Sequence, residues 1–344
     1  MPDLSVSVVI PTYNRAPLIA RAINSALAAI RSGDEIVVID DGSTDDTRAL
    51  VGRYGGAVRL VAAPHAGAGP TRNRGIAEAK NDLIAFLDSD DEWFPDKLEL
   101  QRNVMRAYPH AIFCFSDFRV HDGAGRVYER YLANWHQDPR SWDAILGPGT
   151  RYSTLAALTP PRQDFSVHVG DLYPALMARL YIGTFTLLVR KQIPHGVPRF
   201  PLDLPTFEDW QFFGELARRG AGAYLDCETA IQHGHRLPRL THANALVQAQ
   251  TRIKVLERVW GADAAYQARH GEAYRAVLEE QRRRVSFYGA KELLKAGRMR
   301  EARAAFGRLD AYPLLDRLLL GFPGPIVRLL VKSLGWMRAL RPGH

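Results

Sequence analysis

Four short runs of β-branched and aliphatic residues punctuate the first part of the chain: VSVVI at 6–10, EIVVI at 35–39, VRLV at 58–61 and LIAFL at 83–87. Unbroken apolar runs of this length suit strands covered on both faces, and the helical patterns between them suit crossovers that keep the strands parallel. The rhythm predicts an α/β protein with a doubly wound, mostly parallel sheet flanked by helices. In such sheets ligands bind in the crevice beyond the carboxyl ends of the strands. The residues that follow each run are therefore the place to look for a site.

Those residues are polar. The first run leads into PTYNR at 11–15, the second into DDGSTDD at 40–46 and the fourth into DSDDEW at 88–93, while GAGPTRNRG at 67–75 follows the third. Gly67 and Gly69 invite a dinucleotide-binding reading, but Arg72 stands where the third glycine belongs and the pair follows the third run instead of the first. Further on, HDGAGR reads as a hairpin turn around Asp122-Gly123, YIGTFTLLVR at 181–190 as a strand, and FEDWQFFGELARRG at 207–220 as a helix stopped by Gly220. Residues 131–181, rich in Pro, Trp and Tyr, read as a long loop with short helices over the site.

From Thr241 onward the pattern is helical. YGAKELLKAGRMREARAAFGRL resembles one helix-turn-helix unit of a tetratricopeptide-type repeat, and a single unit makes no array. The formal charge is uneven: residues 250–344 hold 19 Lys+Arg and 9 Asp+Glu, a net of +10, which leaves 26 against 28, or −2, for residues 1–249. In PIVRLLVKSLGWMRAL at 325–340, basic residues are set against Ile326, Leu330, Leu334 and Trp336. That pattern fits a helix lying on a membrane surface or one docked on its own domain.

Taken together, in this order and at these strand ends, the four polar motifs resemble those of the family 2 glycosyltransferases, and FEDWQFFGELARRG adds to the likeness. The resemblance covers roughly residues 4–240 and implies the GT-A fold, with a nucleotide-binding half at 1–118, an acceptor half at 119–240 and a basic helical extension at 241–344. It also implies a metal-dependent, inverting transfer of a sugar from a nucleoside diphosphate sugar, of UDP or dTDP type, to an acceptor hydroxyl. A diphosphate gains negative charge as the sugar leaves, so the site needs a hard cation on oxygen ligands. Asp88 and Asp90, with one residue between them at a strand end, supply them for Mg²⁺ or Mn²⁺. Asp91 is either a further ligand or the cap of a helix starting near Pro95.

By the same resemblance, Asp41 accepts a hydrogen bond from the base, Asp40 orders the loop, Tyr13 stacks on the base, and Pro11 and Thr12 shape the backbone around it. Arg72, Asn73 and Ser89 belong beside the nucleotide, and His235, among His233, His235 and His242, is the candidate to approach metal or phosphate together with Arg236. Displacement at the anomeric carbon needs a general base, for which the resemblance points to Asp209, with Glu208 either orienting it or hydrogen-bonding acceptor hydroxyls. Trp210 is either a sugar-facing ring or core.

Two rivals keep a place. A sugar-phosphate nucleotidyltransferase has a related sheet, but no Gly-rich phosphate loop follows the first run here; a non-catalytic membrane-surface module would not need both metal acids and the Glu-Asp pair. No window approaches the roughly 18 apolar residues of a membrane span, and MPDLSVSVVI lacks the basic region of a signal peptide. The expected place is the cytosol, possible contact with the inner membrane running through 325–340, and the expected acceptor is a saccharide or lipid-linked saccharide, with no nucleic acid partner. Cys114 lies in the apolar run AIFCF and Cys227 in YLDCET, and both are expected as free buried thiols.

Overall fold

A computed structural model describes residues 4–235, 237, 244–309 and 313–339. The chain divides into two compact units, residues 1–204 with 208–237 and residues 205–207 with 238–344.

Unit one is built on a mixed sheet with strand order β3-β2-β1-β4-β10-β6-β11-β9-β8. The four runs form β1 (Val6–Thr12), β2 (Glu35–Asp40), β3 (Arg59–Ala62) and β4 (Leu83–Phe86), all parallel to their neighbours among these four. β5 (Glu92–Trp93) pairs with β11 (Ala221–His233), and β7 (Val127–Tyr128) with β6 (Ala111–His121) across the turn expected at HDGAGR. β8 (Thr150–Arg151), β9 (Ser166–Gly170) and β10 (Leu188–Arg190) complete the sheet. β10 runs antiparallel to both β4 and β6, whereas β6 and β11 are parallel, so one reversed strand lies between two parallel blocks.

Helices α1 (Ile19–Ala29), α2 (Thr47–Gly52), α3 (Ala68–Glu78) and α4 (Lys97–Ala107) link the first strands. α1 shows why: Ile19, Ala22, Ile23 and Ala26 fall on one face and are all buried. α3 lies so close to β1 that a Cβ on Gly75 would stand 2.1 Å from Val9 Cγ1, which makes glycine there a packing requirement.

Three expectations change. Only Leu188–Arg190 of the predicted strand at 181–190 joins the sheet, because a 3₁₀ turn at Thr184–Thr186 interrupts the run before it. The helix read over 207–220 is α8 (Glu208–Ala217), which ends before Gly220. Residues 131–181 hold more than loop and short helices: besides α5 (Leu132–His136), α6 (Trp142–Leu146) and α7 (Tyr173–Leu176), they contribute β8 and β9. Trp210 is core, buried with its indole N–H donating to the Leu176 carbonyl at 2.7 Å. Cys114 and Cys227 are free and buried, and burial pushes the Cys114 thiol up to about 12.

Unit two is helical where it is described: α9 (Ala245–Leu256), α10 (Ala264–Lys295), α11 (Met299–Phe306), α12 (Leu314–Leu320) and α13 (Gly324–Ala339). The end of α10 and α11 form the helix-turn-helix, with Leu294, Ala302, Phe306, Leu319 and Val327 in its core. No described helix is long and apolar enough to cross a membrane.

The Gly75 contact gives a stability test. Gly75→Ala gains up to about 1 kcal/mol of helix propensity but overpacks Val9, a cost of about 1–3 kcal/mol. A net loss of melting temperature is expected, recovered in part by adding Val9→Ala; two additive effects in thermal denaturation would show that the contact is not what selects glycine.

Candidate active site

The carboxyl ends of β2, β1 and β4 are neighbours in the sheet, so the loops that follow them meet. Asn14 sits at φ +50°, a left-handed conformation that Asn adopts more readily than most residues. From there its amide N–H donates to Ser43 Oγ at 2.9 Å and its side-chain oxygen accepts from the Thr44 N–H at 2.8 Å. The Arg15 N–H donates to Thr47 Oγ1 at 2.9 Å and the Ala16 N–H to Asp45 at 3.1 Å, fastening PTYNR to DDGSTDD. Pro11 and Thr12 close β1, where the Thr12 carbonyl accepts the Asp41 N–H at 2.9 Å.

Asp40 accepts the Ser43 N–H at 3.2 Å and pairs with Arg48, the loop-ordering role expected of it. Asp41 makes more such contacts. Its carboxylate accepts from the N–H groups of Ala66 at 2.8 Å and Gly67 at 2.9 Å and stands 2.9 Å from His65 Nδ1. The half-exposed His65 ring stacks on Tyr13 with centroids 4.1 Å apart. Sequence reasoning missed His65 and Asn14; their partners are distant in the chain, and neither residue type announces such a contact.

Acidic groups gather around Arg72, which α3 carries into a buried position. One Arg72 Nη donates to Asp88 Oδ1 at 2.8 Å and the other to Glu208 Oε1 at 3.1 Å, while the guanidinium lies 5.4 Å from the centre of the Phe200 ring. Burial works against its charge, yet the Asp88 and Glu208 carboxylates hold its pKa above the ordinary value. Arg72 Nε is buried with no hydrogen-bond partner among the described residues. Asn73, expected beside the nucleotide, is committed elsewhere: its amide group donates to the Phe200 carbonyl at 2.8 Å and accepts the Phe200 N–H at 2.8 Å. The two bonds clamp the Phe200 segment to α3 and hold the ring under Arg72.

Asp88 follows β4 and its carbonyl accepts the Asp91 N–H at 3.0 Å, closing the turn that contains buried Ser89. Burial raises the Asp88 pKa, Arg72 opposes the rise and Asp90 adds to it. At the start of α8, burial pushes Asp209 up to about 7, with Glu208 adding and Arg72 opposing; its Oδ1 accepts the Trp210 N–H at 2.7 Å. Asp209 is thus a carboxylate whose proton affinity lies near neutrality, the condition for a general base working there.

Asp90 Oδ2 stands 2.7 Å from His235 Nε2. His233 meets Glu92 at 2.8 Å, and His242 and Arg236 lie outside the described residues. Asp91 does not cap α4: its carboxylate accepts the His233 N–H at 3.1 Å, and α4 begins after Asp96. Among the described residues no three His, Cys, Asp or Glu side chains form a metal-holding group, so the expected trio of Asp88, Asp90 and His235 is not gathered on one point. The donor set still fits a hard cation in part. Asp88, Asp90, Glu208 and Asp209 are oxygen donors in excess of Arg72, and a ligand's phosphate oxygens would have to complete the shell.

The family model described as Glycosyl transferase family 2 matches residues 7–156. An uncharacterized glycosyltransferase of Nostoc sp. is 40% identical over 100 residues, 28% of this chain and 31% of that protein. The UDP-Glc:alpha-D-GlcNAc-diphosphoundecaprenol beta-1,3-glucosyltransferase WfgD of Escherichia coli is 38% identical over 107 residues, 30% of this chain and 42% of its own length. The alignments with these two relatives thus span less than half of either one. Among solved structures, S. aureus TarS 1–349 in complex with UDP-GlcNAc superposes with a TM-score of 0.55 at 18% identity, over 85% of this chain and 75% of that one. The mannosyltransferase PcManGT of Pyrobaculum calidifontis, in complex with GDP-Man and Mn²⁺, gives 0.51 at 19% identity, over 92% and 78%.

Arg72 lowers the proton affinity of both Asp88 and Asp209. Replacing it by Met should raise the Asp209 pKa by about one unit or more, an opposite charge at this range being worth about 1–3 units. Carboxyl-carbon NMR titration reads the shift, and an unmoved Asp209 would show that Arg72 is not electrostatically coupled to it.

Proposed function

We propose that the protein, whose residues 7–156 match the Glycosyl transferase family 2 model on a GT-A fold, transfers a sugar from a nucleoside diphosphate sugar to an acceptor hydroxyl, in the assembly of a surface polysaccharide or glycolipid. The observation that carries this reading is Asp209, a carboxylate poised near neutral pH beside Glu208 and within the field of Arg72 and Asp88.

In the proposed step Asp209 takes the proton of the acceptor hydroxyl as that oxygen bonds to the anomeric carbon. The bond from the anomeric carbon to the diphosphate oxygen breaks on the opposite face and its electron pair leaves with the nucleoside diphosphate, so configuration inverts. Glu208, held by Arg72 at 3.1 Å, fixes the start of α8 and with it the position of the base. Arg72 Nε is a donor left over for a phosphate oxygen. Asp88 and Asp90 would hold Mg²⁺ or Mn²⁺, which when bound supplies neutralising charge to the departing diphosphate; His235 keeps Asp90 oriented.

Tyr13 and His65 form the aromatic surface for the base, while Asp41, Pro11, Thr12 and Ser89 shape its surroundings. Asn73 acts indirectly, through Phe200 and Arg72. A uracil or thymine base is favoured by the UDP-Glc in the E. coli relative's name and the UDP-GlcNAc bound to TarS. The diphosphoundecaprenol acceptor in that name supports a lipid-linked saccharide acceptor here.

Asp209→Asn should lower transfer by about a hundredfold to ten-thousandfold while donor affinity stays within a few fold; equal turnover by the two proteins excludes Asp209 as base. Since the base acts deprotonated, the wild-type rate should rise with pH, half-maximal near the value of about 7 given to Asp209, and flatten above it. A profile flat across that range would contradict the assignment. Chelation of divalent cations should weaken donor binding in calorimetry, restored by Mn²⁺ in the wild type and not in Asp88→Ala.

A further inference from the structure

We propose that the α12–α13 hairpin of unit two is a docking surface for an anionic phospholipid bilayer, inserting Leu314, Leu315, Leu318, Phe322, Ile326 and Leu329 among the lipid headgroups. The inference deepens the reading of a lipid-linked acceptor, on which it rests for its biological sense but not for its physics.

The hairpin is apolar on two sides. Inward, Leu319 and Val327 are buried in the helical core and Leu320, Leu330 and Val331 pack against it. A helix docked on its own domain needs that side alone. Outward, Leu314 is 70% exposed, Leu318 58% and Leu329 67%, and Leu315, Phe322 and Ile326 are exposed with them. Single exposed apolar residues are common on protein surfaces, whereas a run on two consecutive helices and the turn between them marks a surface built to be covered.

Charge says by what. Asp316 is the last acidic residue of the chain and is turned inward, 4% exposed in its side chain, near Lys291. Beyond it the sequence holds Arg317, Arg328, Lys332, Arg338 and Arg341 and no Asp or Glu. Arg317 and Arg328 are exposed, each next in sequence to an outward leucine. Apolar side chains interleaved with arginines, in a segment of net positive charge, match an interface that offers hydrocarbon below and phosphate above. A second copy of the chain would bring the same positive charge to the same face, and a two-fold pairing would set like charges together.

The test uses the full chain with phosphatidylcholine vesicles, with and without phosphatidylglycerol, and co-sedimentation as the readout. Wild type should partition to the anionic vesicles more strongly, by about fivefold for each basic residue engaged, and lose that preference in high salt. Leu318→Glu and Leu329→Glu, at exposed positions that spare the core, should each reduce partitioning by about tenfold or more with unchanged thermal unfolding. Leu202→Glu, an equally exposed change in unit one, should leave partitioning unaltered. No binding, or equal binding to neutral and anionic vesicles, overturns the proposal. So does a wild-type dimer in light scattering that Leu318→Glu dissociates while vesicles bind neither protein. Donor affinity in solution should be the same in wild type and both α12–α13 variants, so failed docking and a failed transferase reading show up in different measurements.

Discussion

A single buried guanidinium organises the acid centre of unit one. Arg72 bridges Asp88, at the end of β4, and Glu208, at the start of α8, two residues 120 positions apart in the chain. Without a positive charge there, Asp88, Glu208 and Asp209 would face one another in a partly desolvated pocket, where like charges force carboxylates to take up protons. With it, Asp88 and Glu208 each accept a hydrogen bond from the guanidinium, while Asp209, seated on the Trp210 N–H, is left with a proton affinity near neutrality. The Asn73 clamp on Phe200 keeps the ring beneath that guanidinium, so the placement of the charge depends on two hydrogen bonds to one backbone residue.

The first half of this arrangement was legible in the sequence because it is local. Runs such as VSVVI and LIAFL state their own burial, and the polar residues directly after them must lie at strand ends. Hence Asp40, Asp41, Asp88 and Asp90 could be named, and the GT-A resemblance follows from their order. Cys114 was readable for the same reason, lying inside the apolar run AIFCF.

What stayed hidden depends on partners far along the chain. Nothing near Asn73 says that its amide will be consumed by Phe200, and nothing near Asp91 says that it will receive the His233 N–H instead of capping α4. The stack of His65 on Tyr13 joins the loops after β3 and β1, whose approach is set by the pairing of both strands with β2. β8 and β9 escaped because SVHVG is short and lies among prolines and aromatics, and its strand character comes from pairing with β11. The 3₁₀ turn at Thr184–Thr186 interrupts an apolar run that periodicity alone reads as continuous.

The reversed strand β10 has a consequence for the order in which the protein is made. It joins β4 to β6, yet it spans residues 188–190 while its neighbours end at residues 86 and 121. A nascent chain leaving the ribosome therefore has both parallel blocks partly synthesised before the strand that welds them exists, and α8, with Glu208 and Asp209, emerges later still. Long-range closure of this kind is slow because chain entropy is lost before the contacts form. The nucleotide-side loops of the first block can thus be ordered early, while the acid centre comes together among the last events of folding, and a ribosome that stalls near residue 180 would leave the edge of β4 open to a stray strand.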